Sequence, residues 1–332
     1  FINNTLIDLI MGEVYCLPRK YYPPLPTYGT TLPNLKQHKT LSNLLEIKQE
    51  IRHLCLLKDG RLIMGFEYGI LMIYNLSTYQ IVFQFQALDK ETLTNICLFD
   101  DDRVIITSSK GTLSMWSIYT NSYNKICEMK AHKQYIYSIT KLPRQRIATC
   151  SSDRTIKIFS SEIPFKCIIT LKGHIHEVTK ILHLKNTEVL LSASIGNDST
   201  IRIWNMVTYK CDTIIKQATM GYKTDMIETP DKKIVIGGGG IVSVLQYKNM
   251  KFEFLMRYEH DGLSQVFGIT VLSNGLVLRR SSNGVLTVID TTNKTVCCIT
   301  DYLDLYLIAL LDVASDTFVS GDRNGQLIIW KY

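Results

Sequence analysis

The sequence lacks the paired spacing of cysteines that marks a metal site or a disulfide framework. Its nine cysteines, an odd number, include no CxxC pair. Unpaired thiols of this kind are typical of reduced, mostly buried cysteines that behave as small apolar side chains. We therefore expect no structural zinc and no bound cofactor. The cysteines lie at positions 16, 55, 97, 127, 150, 167, 211, 297 and 298.

Long apolar runs are also missing. No stretch of about 18 apolar residues could cross a bilayer as a helix, and the N-terminal FINNTLIDLI lacks the basic flank and cleavage site of a signal peptide. We expect an intracellular protein, cytoplasmic or cytoskeletal, with the nucleus as an alternative. The chain begins at Phe1 and not at a methionine, so we leave open a further domain upstream.

What the sequence does contain is a regular repeat of short strands. Apolar, alternating segments recur at intervals of 39 to 46 residues. This interval matches the roughly 40–45 residues of a four-stranded propeller blade. The seven segments begin at Ile51, Leu93, Ile136, Val178, Thr224, Val266 and Leu305.

Each unit then follows one plan of four strands. A turn leads to a second apolar strand, a tight hairpin, a third strand that ends in an aromatic residue, and a fourth strand. The fourth unit reads KNT, EVLLSAS, GND, STIRIW and KCDTII in this order. All three tryptophans, Trp116, Trp204 and Trp330, end a third strand and lie two and three periods apart.

On these residues the chain resembles the WD-repeat family over residues 41–332. The resemblance implies a hydrogen-bonded tetrad in each complete repeat: a His before the first strand, a Ser or Thr in the second, an Asp in the hairpin and a Trp in the third. Such a network satisfies buried polar groups. The fourth unit supplies His174, Ser192 or Ser194, Asp198 and Trp204, and the third supplies His132, Thr149 or Ser151, and Asp153, with Phe159 in place of Trp.

The fold that follows is all-β: a seven-bladed propeller of four-stranded antiparallel blades. The last unit ends after its third strand, and residues 41–48 upstream of the first unit form an unassigned strand. We predict that this strand completes the last blade, which closes the ring and leaves no exposed sheet edge. Residues 1–40, which contain PRKYYPPLP, are predicted to be an irregular extension, with the propeller spanning 41–332.

The sequence gives little support for a catalytic or metal-binding site. His174 and His176 with His183 lack a fourth ligand at finger-like spacing. The glycines at 237–240 lack the Lys-Ser/Thr of a phosphate loop, and we interpret them as a crowded hairpin. No GxSxG motif is present, and the acidic residues 100–102 are interpreted as a solvated turn. We predict neither catalytic nor metal-binding residues.

Charge is the feature with functional promise. The chain carries a formal net charge of +7, and residues 120–172 alone hold ten basic and three acidic residues, which also nets +7. A concentrated basic patch attracts an acidic partner, although strand alternation also places neighbouring side chains on opposite faces. The ten residues are Lys125, Lys130, Lys133, Lys141, Arg144, Arg146, Arg154, Lys157, Lys166 and Lys172.

Two adjacent arginines stand where related repeats have small residues. Arg279 and Arg280 fall in the second strand of the sixth unit, so at least one guanidinium points between blades or toward the central channel. We predict an ion pair or a ligand contact there.

A propeller has no chemistry of its own, so function has to be argued from sites. The resemblance implies a non-enzymatic scaffold that binds one or more proteins within a larger assembly. The alternative is a propeller that binds RNA or anionic lipid through the basic patch, which predicts steep salt dependence.

Overall fold

A computed structural model describes the chain in eight stretches. These are residues 13–16, 36–41, 48–216, 224–248, 251–259, 266–281, 286–299 and 307–331. Within these ranges all regular secondary structure is β-strand, 29 strands in total. No helix among them is long and apolar enough to cross a membrane. The predictions for Leu305 and for much of the N-terminal extension lie outside the described residues.

The strands form seven antiparallel four-stranded blades, as the period predicts; six consist of four consecutive strands, and the seventh combines three consecutive strands with an N-terminal one. Two N-terminal strands come first, β1 (Glu13–Cys16) and β2 (Lys36–Leu41). Blade 1 contains β3 (Ile51–Leu56), β4 (Arg61–Phe66), β5 (Ile70–Asn75) and β6 (Gln80–Gln86). Blade 2 contains β7 (Leu93–Leu98), β8 (Arg103–Ser108), β9 (Thr112–Ile118) and β10 (Tyr123–Lys130). Blade 3 contains β11 (Ile136–Leu142), β12 (Arg146–Ser151), β13 (Ile156–Ser160) and β14 (Lys166–Leu171).

The remaining blades repeat the arrangement. Blade 4 contains β15 (Val178–His183), β16 (Val189–Ser194), β17 (Thr200–Asn205) and β18 (Cys211–Lys216). Blade 5 contains β19 (Thr224–Glu228), β20 (Lys233–Gly238), β21 (Ile241–Lys248) and β22 (Lys251–Glu259). Blade 6 contains β23 (Val266–Val271), β24 (Val277–Ser281), β25 (Leu286–Asp290) and β26 (Thr295–Ile299). Blade 7 contains β27 (Leu307–Ala314), β28 (Thr317–Asp322), β29 (Leu327–Lys331) and β2.

The blades form a closed ring around a central channel. The first strand of each blade contacts the first strand of the next, and β27 of blade 7 contacts β3 of blade 1. We call the face that carries the second hairpin of each blade and the connections between blades the top face. The bottom face carries the first and third hairpins. This topology brings loops that are distant in sequence together on each face.

The ring is closed by an N-terminal strand, although not by the predicted residues. Strand β2 pairs antiparallel with β29, with Gln37 opposite Trp330 and Leu41 opposite Leu327. The closing strand therefore spans 36–41 and not 41–48, of which 42–47 lie outside the described residues. Its sequence, KQHKTL, has one apolar residue, so apolar alternation could not reveal it.

The N-terminal segment contributes a second strand. Residues Glu13–Cys16 pair in parallel with β18, from Glu13 opposite Thr213 to Cys16 opposite Lys216. Blade 4 is thereby the core of a five-stranded sheet. The predicted irregular extension thus contains two paired strands, and the domain boundary at residue 41 stays a prediction.

The core lies between neighbouring blades. The second and third strands are buried on both sides, as in β4, β9 and β12, because each blade packs one surface on the blade before it and the other on the blade after it. One such layer joins Leu71 and Phe85 of blade 1 to Val104 and Trp116 of blade 2. Each buried side chain of this size contributes about 1.5–3 kcal/mol to the free energy of folding. The fourth strands face solvent at the rim.

Candidate functional site

The predicted tetrad of blade 4 is a continuous chain of hydrogen bonds. Trp204 Nε1 donates to Ser192 Oγ over 2.8 Å, and Ser192 Oγ lies 2.7 Å from His174 Nε2. His174 Nδ1 lies 3.1 Å from Asp198 Oδ2. The partner of His174 is therefore Ser192, since Ser194 Oγ donates instead to a backbone carbonyl, that of Glu177.

Blade 3 has the same arrangement without the tryptophan. His132 Nδ1 lies 2.8 Å from Asp153 Oδ2, and its Nε2 lies 2.8 Å from Thr149 Oγ1. Here Thr149 is the partner, because Ser151 Oγ donates to Gln134 O over 3.4 Å. Phe159, fully buried, occupies the place of the tryptophan and adds packing alone.

Burial and hydrogen bonding set the charge states of the blade 4 tetrad. Burial lowers the pKa of His174, against the raising effect of Asp198. Burial opposes ionisation of Asp198 too, yet hydrogen bonds from His174 and Thr200 outweigh it, so the pKa of this carboxyl lies well below its ordinary range. The tetrad therefore holds a neutral imidazole that donates from Nδ1 to a carboxylate.

Ser192, His174 and Asp198 have the order of a Ser-His-Asp catalytic triad, which makes access to solvent decisive. Ser192 is completely buried in β16, and its Oγ already accepts a hydrogen bond from Trp204. A nucleophile must reach the atom that it attacks. This serine cannot reach a substrate, so the arrangement stabilises the loops of the top face.

The tetrads fix two top-face loops by their backbones as well. Asp198 Oδ2 accepts a hydrogen bond from Ile175 N over 2.6 Å, and Asp153 Oδ2 accepts one from Lys133 N over 3.4 Å. Between these loops lies a cavity of about 400 Å³. It is lined by Lys133, Gln134, Ser152, Asp153, Arg154, His176 and Glu177.

The predicted basic patch is divided between the two faces. A strand of six residues spans about 20 Å, so basic residues at opposite ends of one strand cannot serve a single site. The top face and the adjoining strand ends hold Lys130, Lys133, Arg154, Lys157 and Lys172, and the bottom half of the ring holds Lys125, Lys141, Arg144, Arg146 and Lys166.

Several of these side chains are already bound within the protein. Lys157 Nζ donates to Ala131 O over 2.7 Å, Lys125 pairs with Glu128 at 2.9 Å, and Arg146 is buried against Met206 and Tyr209. Among the described residues, no ion pair reaches Lys133, Arg154, Lys166 or Lys172. Binding of RNA or anionic lipid by the patch stays a prediction. A single site could use the top-face residues or the bottom residues, but not both sets.

Both arginines of blade 6 are buried. Arg279 is completely buried and Arg280 is 4% exposed. Arg280 Nη2 donates to Ile308 O over 2.7 Å. Burial lowers the pKa of Arg280 to about 9, although Asp225 and Glu50 oppose this shift. The guanidinium of Arg280 and the carboxylate of Asp225 both lie beside Gly268.

A polar channel wall surrounds Arg280, and sequence reasoning did not identify it. Lys180 Nζ pairs with Asp225 Oδ1 at 2.6 Å, and Asp225 Oδ2 accepts a hydrogen bond from Ile269 N over 2.9 Å. His53 faces the same channel, and burial lowers its pKa to about 4. His53 and Lys180 are each the third residue of a first strand, and Asp225 is the second residue of another, so an alignment of the seven units against one another would have pointed to them. Arg280 lies on the second strand β24.

The remaining histidine and glycine candidates do not form one site in the described residues. His183 Nε2 contacts Thr187 O at 2.9 Å on the bottom face, far from His174 and His176 on the top. In the run 237–240, the first two glycines end β20, and Gly239 and Gly240 form the turn to β21 with φ of 55° and 81°. No group of three His, Cys, Asp or Glu in the described ranges could hold a metal ion.

Comparison with known proteins agrees with this geometry. A family model described as "WD domain, G-beta repeat" matches residues 123–160 and 165–205. The chain contains WD repeats, and its fold is a seven-bladed β-propeller. Each match runs from the fourth strand of one blade to the third strand of the next. The sequence repeat of this WD-repeat propeller is thus offset from its blades by one strand, which is why an N-terminal strand has to complete blade 7.

Similar proteins of known name are WD-repeat proteins. Rattus norvegicus apoptotic protease-activating factor 1 is 28% identical over 62% of this chain and 17% of its own length. Nuclear distribution protein nudF of Aspergillus niger is 35% identical over 28% of the chain and 20% of its own length. Periodic tryptophan protein 2 of Arabidopsis thaliana is 26% identical over 51% and 17%. This WD-repeat propeller spans a fifth or less of these relatives.

Proposed function

We propose that the propeller is a non-enzymatic scaffold that binds a partner protein on its top face, between blades 3 and 4. The observation that carries this proposal is Ile175. Its side chain is 63% exposed, yet its backbone is held by Asp198 of the tetrad. An apolar side chain displayed on a fixed loop binds with little loss of conformational entropy.

The surroundings of Ile175 support a protein partner. The cavity beside it is lined by polar and charged groups of both signs, among them Arg154 and Glu177. Tyr137, whose ring is tilted by 39° against that of Tyr135 with centroids 4.6 Å apart, donates to Glu177 Oε2 over 3.0 Å. An apolar anchor within a polar rim is the usual composition of a protein interface.

The relatives add support of a coarser kind. WD-repeat propellers generally act as platforms for protein interaction. The named relatives bear names as different as an apoptotic protease-activating factor and a nuclear distribution protein. Since the chain spans a fifth or less of each, their whole activities do not transfer to it. Membership in a larger intracellular assembly is part of our proposal.

The test compares two matched exposed side chains. Val207 lies in the third hairpin of blade 4 on the bottom face and is 62% exposed, against 63% for Ile175. Wild type, Ile175→Asp and Val207→Asp are used to recover crosslinked partners from native cells, with half of each sample treated with nuclease. A protein found in this way is then purified, and its Kd is measured for all three forms.

We expect one partner whose affinity falls about tenfold or more for Ile175→Asp, which loses an apolar anchor worth at least about 1.4 kcal/mol. Val207→Asp should bind as wild type does. Equal affinities for the two variants would contradict docking on the top face. Loss of the partner after nuclease treatment would favour RNA as the ligand.

A further inference from the structure

A second groove lies on the rim, between the outer strands of blades 4 and 5 near the bottom face. It has a volume of about 270 Å³. Its floor includes Val189 and Ile203, and one side is the aromatic pair of Tyr247 and Phe252, with ring centroids 4.7 Å apart. The lining comprises Thr187, Glu188, Val189, Ile203, Asn205, Asp212, Thr213, Tyr247 and Phe252.

The charges of this groove have one sign. Two carboxylates, Glu188 and Asp212, line it, and none of the described residues in the lining is basic. The top-face cavity differs, since Lys133 and Arg154 there balance Asp153 and Glu177. The lining of the rim groove therefore carries a net negative charge, whereas that of the top-face cavity does not.

The two carboxylates differ in how they are compensated from outside the groove. Arg144 and Arg146 of blade 3 form long ion pairs of 3.5 Å with Glu188 and offset its charge, although this distance is too long for a good hydrogen bond and Glu188 Oε2 has no hydrogen-bond partner. Asp212 has no ion pair within the described residues and is exposed. Burial and the charge of Asp212 both raise the pKa of Tyr247, so this carboxylate acts on the ring.

We propose that the groove between blades 4 and 5 binds an arginine or lysine side chain of a partner polypeptide. Aromatic faces attract a cation, and the carboxylates at the mouth supply the opposite charge. Arginine fits better than lysine because its planar guanidinium stacks on a ring while it donates to a carboxylate. The occupant is a basic peptide segment.

This inference rests on the proposed function only in that the partner is a protein, and it concerns a different surface. A partner that contacts both surfaces would have to extend from the top face over the rim of blade 4. The experiment therefore addresses the groove without the unknown partner.

The probe is a displayed library of random peptides of about a dozen residues, selected on the full chain. We expect enrichment of arginine or lysine at one position. One enriched peptide is then synthesised with arginine and with its neutral analogue citrulline, and Kd is measured by fluorescence anisotropy. The protein forms are wild type, Glu188→Gln with Asp212→Asn, and Asp316→Asn, which changes an exposed acidic residue in the first hairpin of blade 7.

The double variant should weaken binding of the arginine peptide about tenfold, the usual scale for one charge-assisted contact. Asp316→Asn should bind it as wild type does, and the citrulline peptide should bind all three forms equally weakly. Circular dichroism checks that each form is folded. Absence of basic enrichment, or equal affinity of the double variant, would overturn the proposal.

The top-face variant separates the two proposals. Ile175→Asp should bind the arginine peptide with unchanged affinity, because Ile175 lies on the opposite face. If Ile175→Asp keeps its native partner while the arginine peptide still requires Glu188 and Asp212, the proposed function fails and the groove stands. The reverse result leaves the top face as the docking surface and removes the groove.

Discussion

Replacement of Ser192 by alanine tests the tetrad of blade 4. Its hydroxyl accepts a hydrogen bond from Trp204 at 2.8 Å and contacts His174 at 2.7 Å, and both partners are almost fully buried. Each buried polar group left without a partner costs about 1–3 kcal/mol. With two groups affected, Ser192→Ala should lower the free energy of unfolding by about 3 kcal/mol.

Two other serines supply matched controls. Ser320 Oγ accepts from Trp330 Nε1 over 2.8 Å, and Ser114 Oγ accepts from Trp116 Nε1 over 3.1 Å. Both are fully buried, and among the described side chains neither contacts a histidine. Ser320→Ala and Ser114→Ala should therefore cost about 1.5 kcal/mol each, half of the effect at Ser192.

The assay is equilibrium unfolding in urea, followed by circular dichroism and by tryptophan fluorescence so that coincidence of the two transitions can be checked. The three tryptophans remain in all variants. If Ser192→Ala costs no more than Ser320→Ala, the second partner contributes nothing and the account of the tetrad is wrong.

Three further predictions concern packing, pH and thiol chemistry. Gly321→Ala should lower the free energy of unfolding by about 1–3 kcal/mol, because the added Cβ would lie 2.5 Å from an isoleucine of β3. At Gly60 an added Cβ meets no atom within 4 Å. Gly60→Ala should therefore cost only about 1 kcal/mol, because φ is positive at this residue. Equal losses would refute this packing of blade 7 on blade 1. In the folded protein the pKa of His174 lies below the value of 6.5 of the unfolded chain. The unfolded chain therefore takes up the proton first as the pH falls, and the free energy of unfolding should decrease below about pH 6.5. A urea midpoint that is constant from pH 7.5 to pH 5 would contradict this. Alkylation of the native protein should label the exposed Cys167 within minutes and leave Cys55 unlabelled, as read by peptide mass spectrometry. The reason is that burial raises the pKa of the Cys55 thiol to about 12. Similar rates at the two thiols would show that Cys55 is accessible.

The sequence was sufficient to predict the blades because their inner strands are buried. Six of the seven predicted segments begin at the first residue of a first strand, among them Ile51, Val178 and Val266. First strands such as β3 and β7 begin with a buried apolar residue and carry further apolar residues without strict alternation, and the recurrence of such segments at the blade period is the signal. The outer strands carry less of this signal. In β10 and β14 much of the surface is exposed. The closing strand β2 was misplaced because its sequence contains one apolar residue.

The candidate sites were harder to predict because nearness in sequence is not nearness in space. Lys166 and Lys172 are six residues apart but lie at opposite ends of β14, so the predicted basic patch divides. Lys180 and Asp225 are 45 residues apart and form an ion pair, since adjacent blades bring matching strand positions together. Contacts between repeats join residues that lie about one period apart in sequence, whereas the predicted basic patch was a continuous stretch of sequence.

Closure by β2 also dictates the order in which the molecule can be completed during synthesis. Strand β2 leaves the ribosome almost 300 residues before its partner β29 is made. Until then blade 7 does not exist, and β2 has no edge to pair with. Blades 1 to 6 can form as they emerge, because each is a local meander. The final step is a single long-range pairing, and a nascent chain that stalls before residue 327 would expose an open edge of the kind that invites aggregation.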